Sequence, residues 1–182
     1  MTDRVVERLD REQFIERLKR VRLLALDVDG VLTDDSLYFG PDGFEMKRFN
    51  IGDGFLIVLA MRAGLEIAIV SGRYSPATDT RMKDLGVANV LQGQKDKVSM
   101  LTPLLERLHI GFDEVAFVGN DLLDLKLARA VGLPIAVADA VDEMQAASMW
   151  VTQKKGGFGA VREILTMYFE AIGKDPKEFI RG

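Results

Sequence analysis

The chain is 182 residues long, 48% hydrophobic and 29% charged, with a formal net charge of −4. This length fits one domain with its own hydrophobic core. The absence of cysteine excludes disulfides, zinc–thiolate sites and cysteine nucleophiles. Acidic and basic residues are interspersed, so no basic surface for nucleic acid or a membrane is indicated, and no stretch resembles a signal peptide or a membrane span. We expect one cytoplasmic domain, residues 1–182, with no nucleic-acid or membrane partner.

In chain order, residues 4–20 have the spacing of an amphipathic helix, which predicts an N-terminal helix within residues 1–20. Strand-like and helix-like segments alternate after it, which is typical of an α/β fold with a doubly wound, mainly parallel sheet. The predicted strands cover 21–28, 65–70, 88–91, 114–118, 133–137 and 149–152. The predicted helices cover 53–64, 76–86, 97–109, 121–131, 141–147 and 158–171.

Three segments depart from this alternation. Residues 35–50 contain two short strand-like runs around a Gly-Pro-Asp-Gly turn, which predicts an inserted β-hairpin. Gly156, Gly157 and Gly159 precede the last helix and could form either an anion-binding turn or a flexible connection. The polar residues 173–182 indicate a mobile tail.

The apolar run 23–26 ends in two nearby carboxylates, Asp27 and Asp29. Open α/β sheets bind ligands at the carboxyl ends of their strands. Two adjacent carboxylates repel each other and lose solvation, unless a cation or a proton lies between them. Mg²⁺ takes oxygen ligands and commonly bridges one or two carboxylates to a substrate phosphate. The pair therefore predicts a magnesium site.

Three further polar clusters follow predicted strands. They are Ser71-Gly-Arg73, the segment 92–97 (Gln-Gly-Gln-Lys-Asp-Lys) and Gly119-Asn-Asp121. Because the carboxyl ends of parallel strands share one edge of a sheet, we expect these clusters to meet the two aspartates. Together they supply what phosphoryl transfer requires: a nucleophile, a metal site, donors for the phosphate oxygens and a proton donor.

Each residue type suits one task in that reaction. Asp27 can attack phosphorus and form an aspartyl-phosphate. Asp29 can protonate the leaving group and then activate the water that clears the intermediate. Ser71 offers a hydroxyl and a backbone N–H to the phosphate oxygens. Asn120 and Asp121 would complete the metal site beside the two aspartates. Spacing alone lets either lysine of the segment 92–97 supply the positive charge.

Four segments in this order resemble the motifs of the haloacid dehalogenase superfamily of phosphatases. They are Asp-Val-Asp-Gly-Val-Leu-Thr (27–33), Val-Ser-Gly-Arg (70–73), the segment 92–97 and Gly-Asn-Asp-Leu-Leu-Asp (119–124). The hairpin, residues 47–54 and residues 156–163 are similar to the 3-deoxy-D-manno-octulosonate 8-phosphate (KDO 8-phosphate) phosphatases and to the related phosphatases of nine-carbon sugar acids. The resemblance implies a Rossmann-like fold without a large cap domain, dependence on Mg²⁺, and a homotetramer.

The same resemblance implies further residue roles. It selects Lys97 over Lys95 as the phosphate-binding lysine. It implies that Gly72, Arg73 and Asp53 bind substrate, although Arg73, beside a predicted helix start, could equally be a surface salt-bridge partner. Asp124 would orient either Lys97 or the waters on the metal; the alternative is an ordinary acidic residue in the first turn of a helix.

Two positions depart from the family pattern. Asn120 stands where an aspartate is usual, which removes one negative charge from the metal site, and Leu56 stands where a glycine is usual. We expect a Mg²⁺-dependent phosphatase of a phosphorylated sugar acid, with KDO 8-phosphate as the first candidate. The alternatives are a nine-carbon ulosonate phosphate, a broad range of sugar phosphates, or a non-catalytic module of the same fold that serves assembly or regulation.

Overall fold

The computed structural model describes residues 6–180 and contains a parallel sheet that is central to the molecule. Its strands are β1 (Leu23–Leu26), β4 (Glu66–Ser71), β5 (Asn89–Gln92), β6 (Val115–Gly119), β7 (Leu133–Ala136) and β8 (Trp150–Val151). They lie in the order β5-β4-β1-β6-β7-β8, and every adjacent pair is parallel. Two other strands, β2 (Tyr38–Phe39) and β3 (Glu45–Met46), form a separate antiparallel hairpin. The predicted mainly parallel, doubly wound sheet is confirmed.

The order of the strands places a crevice at β1. The chain moves from β1 to β4 and β5 on one side, then crosses back to β6, β7 and β8 on the other. Loops that leave the carboxyl ends of β4 and β6 therefore diverge around the end of β1, where such sheets bind ligands. All four residues of β1 are buried, as a strand covered on both faces requires.

Seven helices are found among residues 6–180. They are α1 (Arg11–Leu18), α2 (Ile51–Arg62), α3 (Pro76–Leu85), α4 (Lys97–Leu108), α5 (Leu125–Ala128), α6 (Asp142–Ala146) and α7 (Ala160–Ala171). α7 packs against both α1 and α2. None of the described helices is long and apolar enough to cross a membrane.

Local capping explains where the predicted helix boundaries were wrong. α2 begins two residues early because the Asn50 side chain accepts a hydrogen bond from the backbone N–H of Asp53 (3.1 Å). α7 begins two residues late because Gly159 has a φ of 103°, outside the right-handed helical region. The predicted helix over 121–131 is instead a 3₁₀ turn (Leu122–Asp124) followed by the single turn of α5.

Both ends of the described chain pack on the core. The Asp10 side chain caps α1, while residues 1–5 of the predicted N-terminal helix lie outside the described residues. In the segment predicted to be a mobile tail, Pro176–Phe179 forms a 3₁₀ turn. The Phe179 ring lies 5.7 Å from that of Phe169, and its carbonyl accepts a hydrogen bond from Arg62 (3.0 Å). Apolar packing thus holds this segment; residues 181 and 182 lie outside the described residues.

Candidate active site

A buried ammonium group lies between two carboxylates at the carboxyl end of β1. Asp27 directly follows β1, and Lys97 is the first residue of α4. The Lys97 Nζ lies 2.8 Å from Asp27 Oδ1 and 2.5 Å from Asp124 Oδ1, and the Lys97 side chain is 2% exposed. Buried charges persist when they are paired in this way. Of the two candidate lysines, the structure brings Lys97 to Asp27 and leaves Lys95 exposed.

The surroundings of this cluster perturb the pKa values of its members. Burial and the charge of Asp124 raise the pKa of Asp27 to about 7, against the opposing effect of Lys97. Burial lowers the pKa of Lys97, but the nearby charges of Asp27 and Asp124 outweigh it and leave that pKa above its ordinary value. Lys97 is therefore a permanent cation, and a further positive charge would stabilise the ionised form of Asp27.

Asp124 connects the lysine to the turn after β6. Its Oδ2 accepts hydrogen bonds from the backbone N–H groups of Asn120 (2.8 Å) and Asp121 (3.2 Å). A Cβ at Gly119 would lie 2.6 Å from the same oxygen, so only glycine fits there. Of its two expected tasks, Asp124 is therefore seen to orient Lys97, and it also fixes the backbone of the turn.

Asp29 lies between two cations, one of them supplied by the hairpin. Its Oδ1 forms an ion pair with Lys47, and its Oδ2 lies 3.5 Å from Arg73 Nε. The Arg73 guanidinium also binds both carboxylate oxygens of Glu45, at 2.6 and 3.2 Å. Glu45 in turn accepts a hydrogen bond from the buried Ser75 hydroxyl (2.7 Å).

The sequence reasoning missed Glu45 and Lys47. Both lie in the predicted hairpin, two positions apart, and alternate residues of a strand point to the same face. Two opposite charges on one face of a short hairpin were the available signal. The partners of Glu45 and Lys47 could not be identified, because they come from the loops after β1 and β4.

Ser71 and Gly72 lie at the end of β4. Ser71 is buried, and its hydroxyl donates to the carbonyl of Arg73 (3.0 Å), so it has a local partner in this structure. Gly72 has open space around it, since a Cβ there would meet no heavy atom closer than 3.8 Å, in Leu123. This glycine leaves room for a ligand beside the end of β4.

Asp53 lies buried between α2 and the start of α7. It is 1% exposed, and its Oδ1 accepts a hydrogen bond from the backbone N–H of Arg162 (2.7 Å) in the first turn of α7. Burial raises the pKa of Asp53, while the backbone N–H groups of Arg162 and Gly159 act in the opposite direction. The carboxylate thus caps α7 from α2, and its role in substrate binding stays a prediction. Leu56, one of the departures from the family pattern, is buried in the hydrophobic core.

The oxygen donors that follow β1 and β6 fit Mg²⁺, and they combine carboxylates with an amide. No group of three or more His, Asp or Glu residues suited to a metal ion occurs within residues 6–180. The Asn120 Oδ1, however, is buried without a hydrogen-bond partner, and the Asn120 amide packs so closely on Gly30 that a Cβ there would lie 2.0 Å from Nδ2. Mg²⁺ suits such a sparse set, because it retains waters and shares substrate phosphate oxygens.

The remaining predicted metal ligands differ in their availability. Asp121 is exposed, and its Oδ1 accepts a hydrogen bond from the backbone N–H of Leu122 (2.6 Å). Burial raises the pKa of Asp35, and the charges of Asp29, Asp121 and Asp139 raise it further, so this edge of the sheet attracts cations. The Asp29 side chain was predicted as a ligand, yet both of its oxygens face cations of the protein. Asp27, Asn120 and Asp121 therefore fit the metal better.

The glycines of residues 156–159 allow close packing on the loop after β1. A Cβ at Gly156 would lie 1.8 Å from the Gly30 carbonyl oxygen, and one at Gly157 would lie 2.5 Å from the Thr33 carbonyl carbon. The Gly157 carbonyl accepts a hydrogen bond from Arg48 (3.1 Å). Contact with the loop that carries the aspartates thus explains Gly156 and Gly157 better than an anion-binding turn or a flexible connection.

Comparison with known proteins agrees with this architecture. A family model described as haloacid dehalogenase-like hydrolase matches residues 80–165. The 3-deoxy-D-manno-octulosonate 8-phosphate phosphatase of Escherichia coli K12 is 42% identical over 160 residues, which cover 88% of this chain and 85% of the relative. The corresponding phosphatase of Yersinia pestis is 38% identical over 90% of this chain and 87% of its own length.

Solved structures give the same result. The KDO 8-phosphate phosphatase of Moraxella catarrhalis, in complex with magnesium, phosphate and KDO, has a TM-score of 0.85 and 36% identity, covering 88% of this chain and 92% of its own. A cobalt-bound phosphatase of the same kind from Haemophilus influenzae has a TM-score of 0.83 and 34% identity. The match covers 86% of this chain and 92% of the Haemophilus chain. With the fold and the clustered motif residues, these relatives show that the chain belongs to the haloacid dehalogenase-like hydrolases and, within them, to the family of the KDO 8-phosphate phosphatases.

Proposed function

We propose that this protein is a Mg²⁺-dependent phosphatase that converts KDO 8-phosphate to KDO and inorganic phosphate. The observation that carries the proposal is the buried contact between Lys97 and Asp27 at the carboxyl end of the central strand, 2.8 Å long. A nucleophilic carboxylate beside a permanent cation has the charge pattern that a phosphoryl group requires. The relatives named above are phosphatases of this sugar phosphate, and one of them is 42% identical over 88% of this chain.

The reaction proceeds in two displacements. Asp27 attacks phosphorus, the bond from phosphorus to the sugar oxygen breaks, and Asp29 gives a proton to that departing oxygen. A water molecule then gives a proton back to Asp29 and attacks the aspartyl-phosphate, which releases phosphate and restores Asp27. Lys97 and the Ser71 hydroxyl bind the phosphate oxygens, on which charge is spread during both steps.

Asp27, Asn120 and Asp121 would hold the magnesium ion. When bound, Mg²⁺ neutralises charge on the phosphate and on the attacking carboxylate, and it orients both groups. Asp27 benefits directly, because burial raises its pKa to about 7 and a cation stabilises its ionised form. The neutral side chain of Asn120 leaves the site with one negative charge fewer than an aspartate would give.

Arg73 is the residue proposed to select a sugar acid. Its side chain is 41% exposed, and its guanidinium lies beside Asp29, where a substrate carboxylate could form a two-pronged contact with it. Glu45 occupies that guanidinium in the present structure. A sugar phosphate without a carboxylate would gain nothing from displacing Glu45, which predicts a preference for ulosonate phosphates over hexose phosphates.

The test is phosphate release from a panel that contains KDO 8-phosphate, a nine-carbon ulosonate phosphate and simple hexose phosphates, each with and without Mg²⁺. Turnover that needs Mg²⁺ and strongly favours KDO 8-phosphate supports the proposal. A preference for the nine-carbon compound, or similar rates with all of them, would replace the substrate but keep the chemistry. No turnover by a folded protein would favour a non-catalytic role.

We also propose that the enzyme is a cytoplasmic homotetramer. Five apolar side chains of the hairpin region are between 43% and 66% exposed: Leu37, Tyr38, Phe39, Phe44 and Met46. Isolated hairpins are marginally stable in water, and contact between subunits would cover this surface. Light scattering at micromolar concentration should therefore give the mass of four chains, and a monomer would contradict the proposal. The lack of cysteine fits a reducing compartment.

A further inference from the structure

The hairpin presents two charged residues to the active site and its apolar residues to the outside. Glu45, in β3, and Lys47, directly after it, contact Arg73 and Asp29. The neighbours Phe44 and Met46 are 66% and 45% exposed. This division follows from the alternation of side chains along an extended chain. The hairpin therefore docks on the site through charges rather than through apolar packing.

Lys47 is the most constrained part of this docking. Its side chain is 0% exposed, although lysine is almost never fully buried without a partner. The described contact of its ammonium group is the ion pair with Asp29 Oδ1, whose side chain is 28% exposed. Burying a cation beside one carboxylate adds little stability, because the loss of solvation offsets much of the attraction. The partner of Lys47 is the proposed proton donor, so the burial indicates a role in the reaction rather than in stability.

The second oxygen of Asp29 is restrained by the Nε of Arg73, which leaves the other two guanidinium nitrogens to Glu45 or to a substrate carboxylate. Glu45 binds the Arg73 guanidinium at two points, and the Arg73 Nε lies 3.5 Å from Asp29 Oδ2. Ser75 fixes Glu45 in turn. The final torsion of a free aspartate is broad, so a carboxylate at the mouth of a site would rotate unless both oxygens were restrained.

We propose that Lys47 is a positioning residue, which holds the Asp29 carboxylate where the oxygen of the leaving group arrives. The inference rests on the proposed function, since it assigns Lys47 a part in the proton transfer of that reaction. A general acid must lie within hydrogen-bond reach of the oxygen that it protonates. Without the Lys47 ammonium, Asp29 would remain present but would turn towards Arg73 or solvent.

Substrates with different leaving groups distinguish a positioning role of Lys47 from a role in phosphate binding or in stability. The sugar leaves KDO 8-phosphate as an alkoxide, which needs a proton as the bond breaks, whereas p-nitrophenolate is stable without one. The ratio kcat/KM covers the steps up to loss of the leaving group, so it reports this proton transfer. A displaced Asp29 should slow the sugar phosphate selectively, whereas lost phosphate binding or a weakened fold would slow both substrates equally.

The experiment compares wild type, Lys47→Met and the matched control Lys83→Met, which removes an exposed lysine of α3. With Mg²⁺ present, Lys47→Met should lower kcat/KM about 100-fold for KDO 8-phosphate and less than about fivefold for p-nitrophenyl phosphate. Lys83→Met should match wild type with both substrates. Equal losses with both substrates in Lys47→Met, or no loss, would overturn the positioning role.

A second variant covers a failure of Lys47→Met to fold. Lys47→Arg keeps the charge but displaces it, so its loss should be smaller and should still be confined to KDO 8-phosphate. Equal effects on both substrates in this variant overturn the inference as well. A wild-type protein that hydrolyses neither substrate would overturn the proposed function itself, and the role of Lys47 with it.

Discussion

Replacing Lys97 with methionine removes the cation from the buried cluster and leaves Asp27 and Asp124 without a charge between them. The Lys97 Nζ lies within 2.8 Å of both carboxylates, and the side chain is 2% exposed. Removal of one partner from a buried ion pair costs about 3–5 kcal/mol. For a chain of this size, each kcal/mol lowers the melting temperature by about 2–4 °C, so we expect Lys97→Met to melt about 6–20 °C below wild type at pH 8.

The loss of stability in Lys97→Met should depend on pH. Lys97 lowers the pKa of Asp27, so its removal would move that raised pKa further above the value in the unfolded chain. A carboxyl group whose pKa is raised by folding stabilises the protein when protonated, and this contribution is lost as pH rises through the raised pKa. The difference between wild type and Lys97→Met should therefore be smaller at pH 5.5 than at pH 8.

Thermal unfolding followed by circular dichroism at both pH values tests this reasoning, with Lys95→Met as the matched control because Lys95 is exposed. The control should melt with wild type. A difference of about 2 °C is the low end of the shift expected for a loss of about one kcal/mol. If Lys97→Met melted within about 2 °C of wild type at pH 8, the cluster would not be a buried ionic contact. A difference that stayed constant between pH 8 and pH 5.5 would refute the part assigned to Asp27.

Three further predictions follow from the same contacts. Asn120→Asp adds a negative charge beside the metal and should tighten Mg²⁺ binding by about tenfold in calorimetry, because one unit of charge at ligand distance is worth at least about 1 kcal/mol. Equal or weaker binding by this variant would show that Asn120 does not bind the metal. Because the pKa of Asp27 is raised to about 7, Mg²⁺ must displace a proton from Asp27 at lower pH. The apparent affinity for Mg²⁺ should therefore fall up to about tenfold per pH unit below 7. An affinity for Mg²⁺ that stays constant between pH 5.5 and 7 would contradict this prediction. Asp53→Ala removes the cap of α7 and should lower the free energy of unfolding in urea by about 1–2 kcal/mol, with the KM for substrate unchanged. A raised KM with unchanged stability would instead support a role of Asp53 in substrate binding.

The sheet and the meeting of its loops could be predicted because they depend on local pattern. The run 23–26 is apolar throughout, as a strand buried on both faces must be, and Asp27 directly follows it. In a parallel sheet, the residues after such strands share one edge, so the approach of Lys97 to Asp27 follows from the order of the strands. The resemblance to known motifs then selected Lys97 over Lys95.

Contacts between distant segments could not be predicted in this way. The turn predicts the hairpin, but the pairing of Lys47 with Asp29 depends on how the hairpin folds back on the loop after β1. Asp53 lies in a segment similar to a substrate-binding motif, yet its carboxylate meets the N-terminus of α7, more than 100 residues away in sequence. The helix predicted over 121–131 is interrupted because Asp124 turns inwards to Lys97 and to the backbone of its own turn.

The central claim is that Asp27 forms a covalent bond to phosphorus. Its most direct test is rapid quenching of the enzyme during turnover of KDO 8-phosphate with Mg²⁺, followed by mass spectrometry of the peptides. We predict one phosphoryl group on the peptide that contains Asp27, lost as turnover ends and absent from Asp27→Asn. A phosphoryl group on another residue, or an Asp27→Asn variant that turns over at the rate of wild type, would contradict this account.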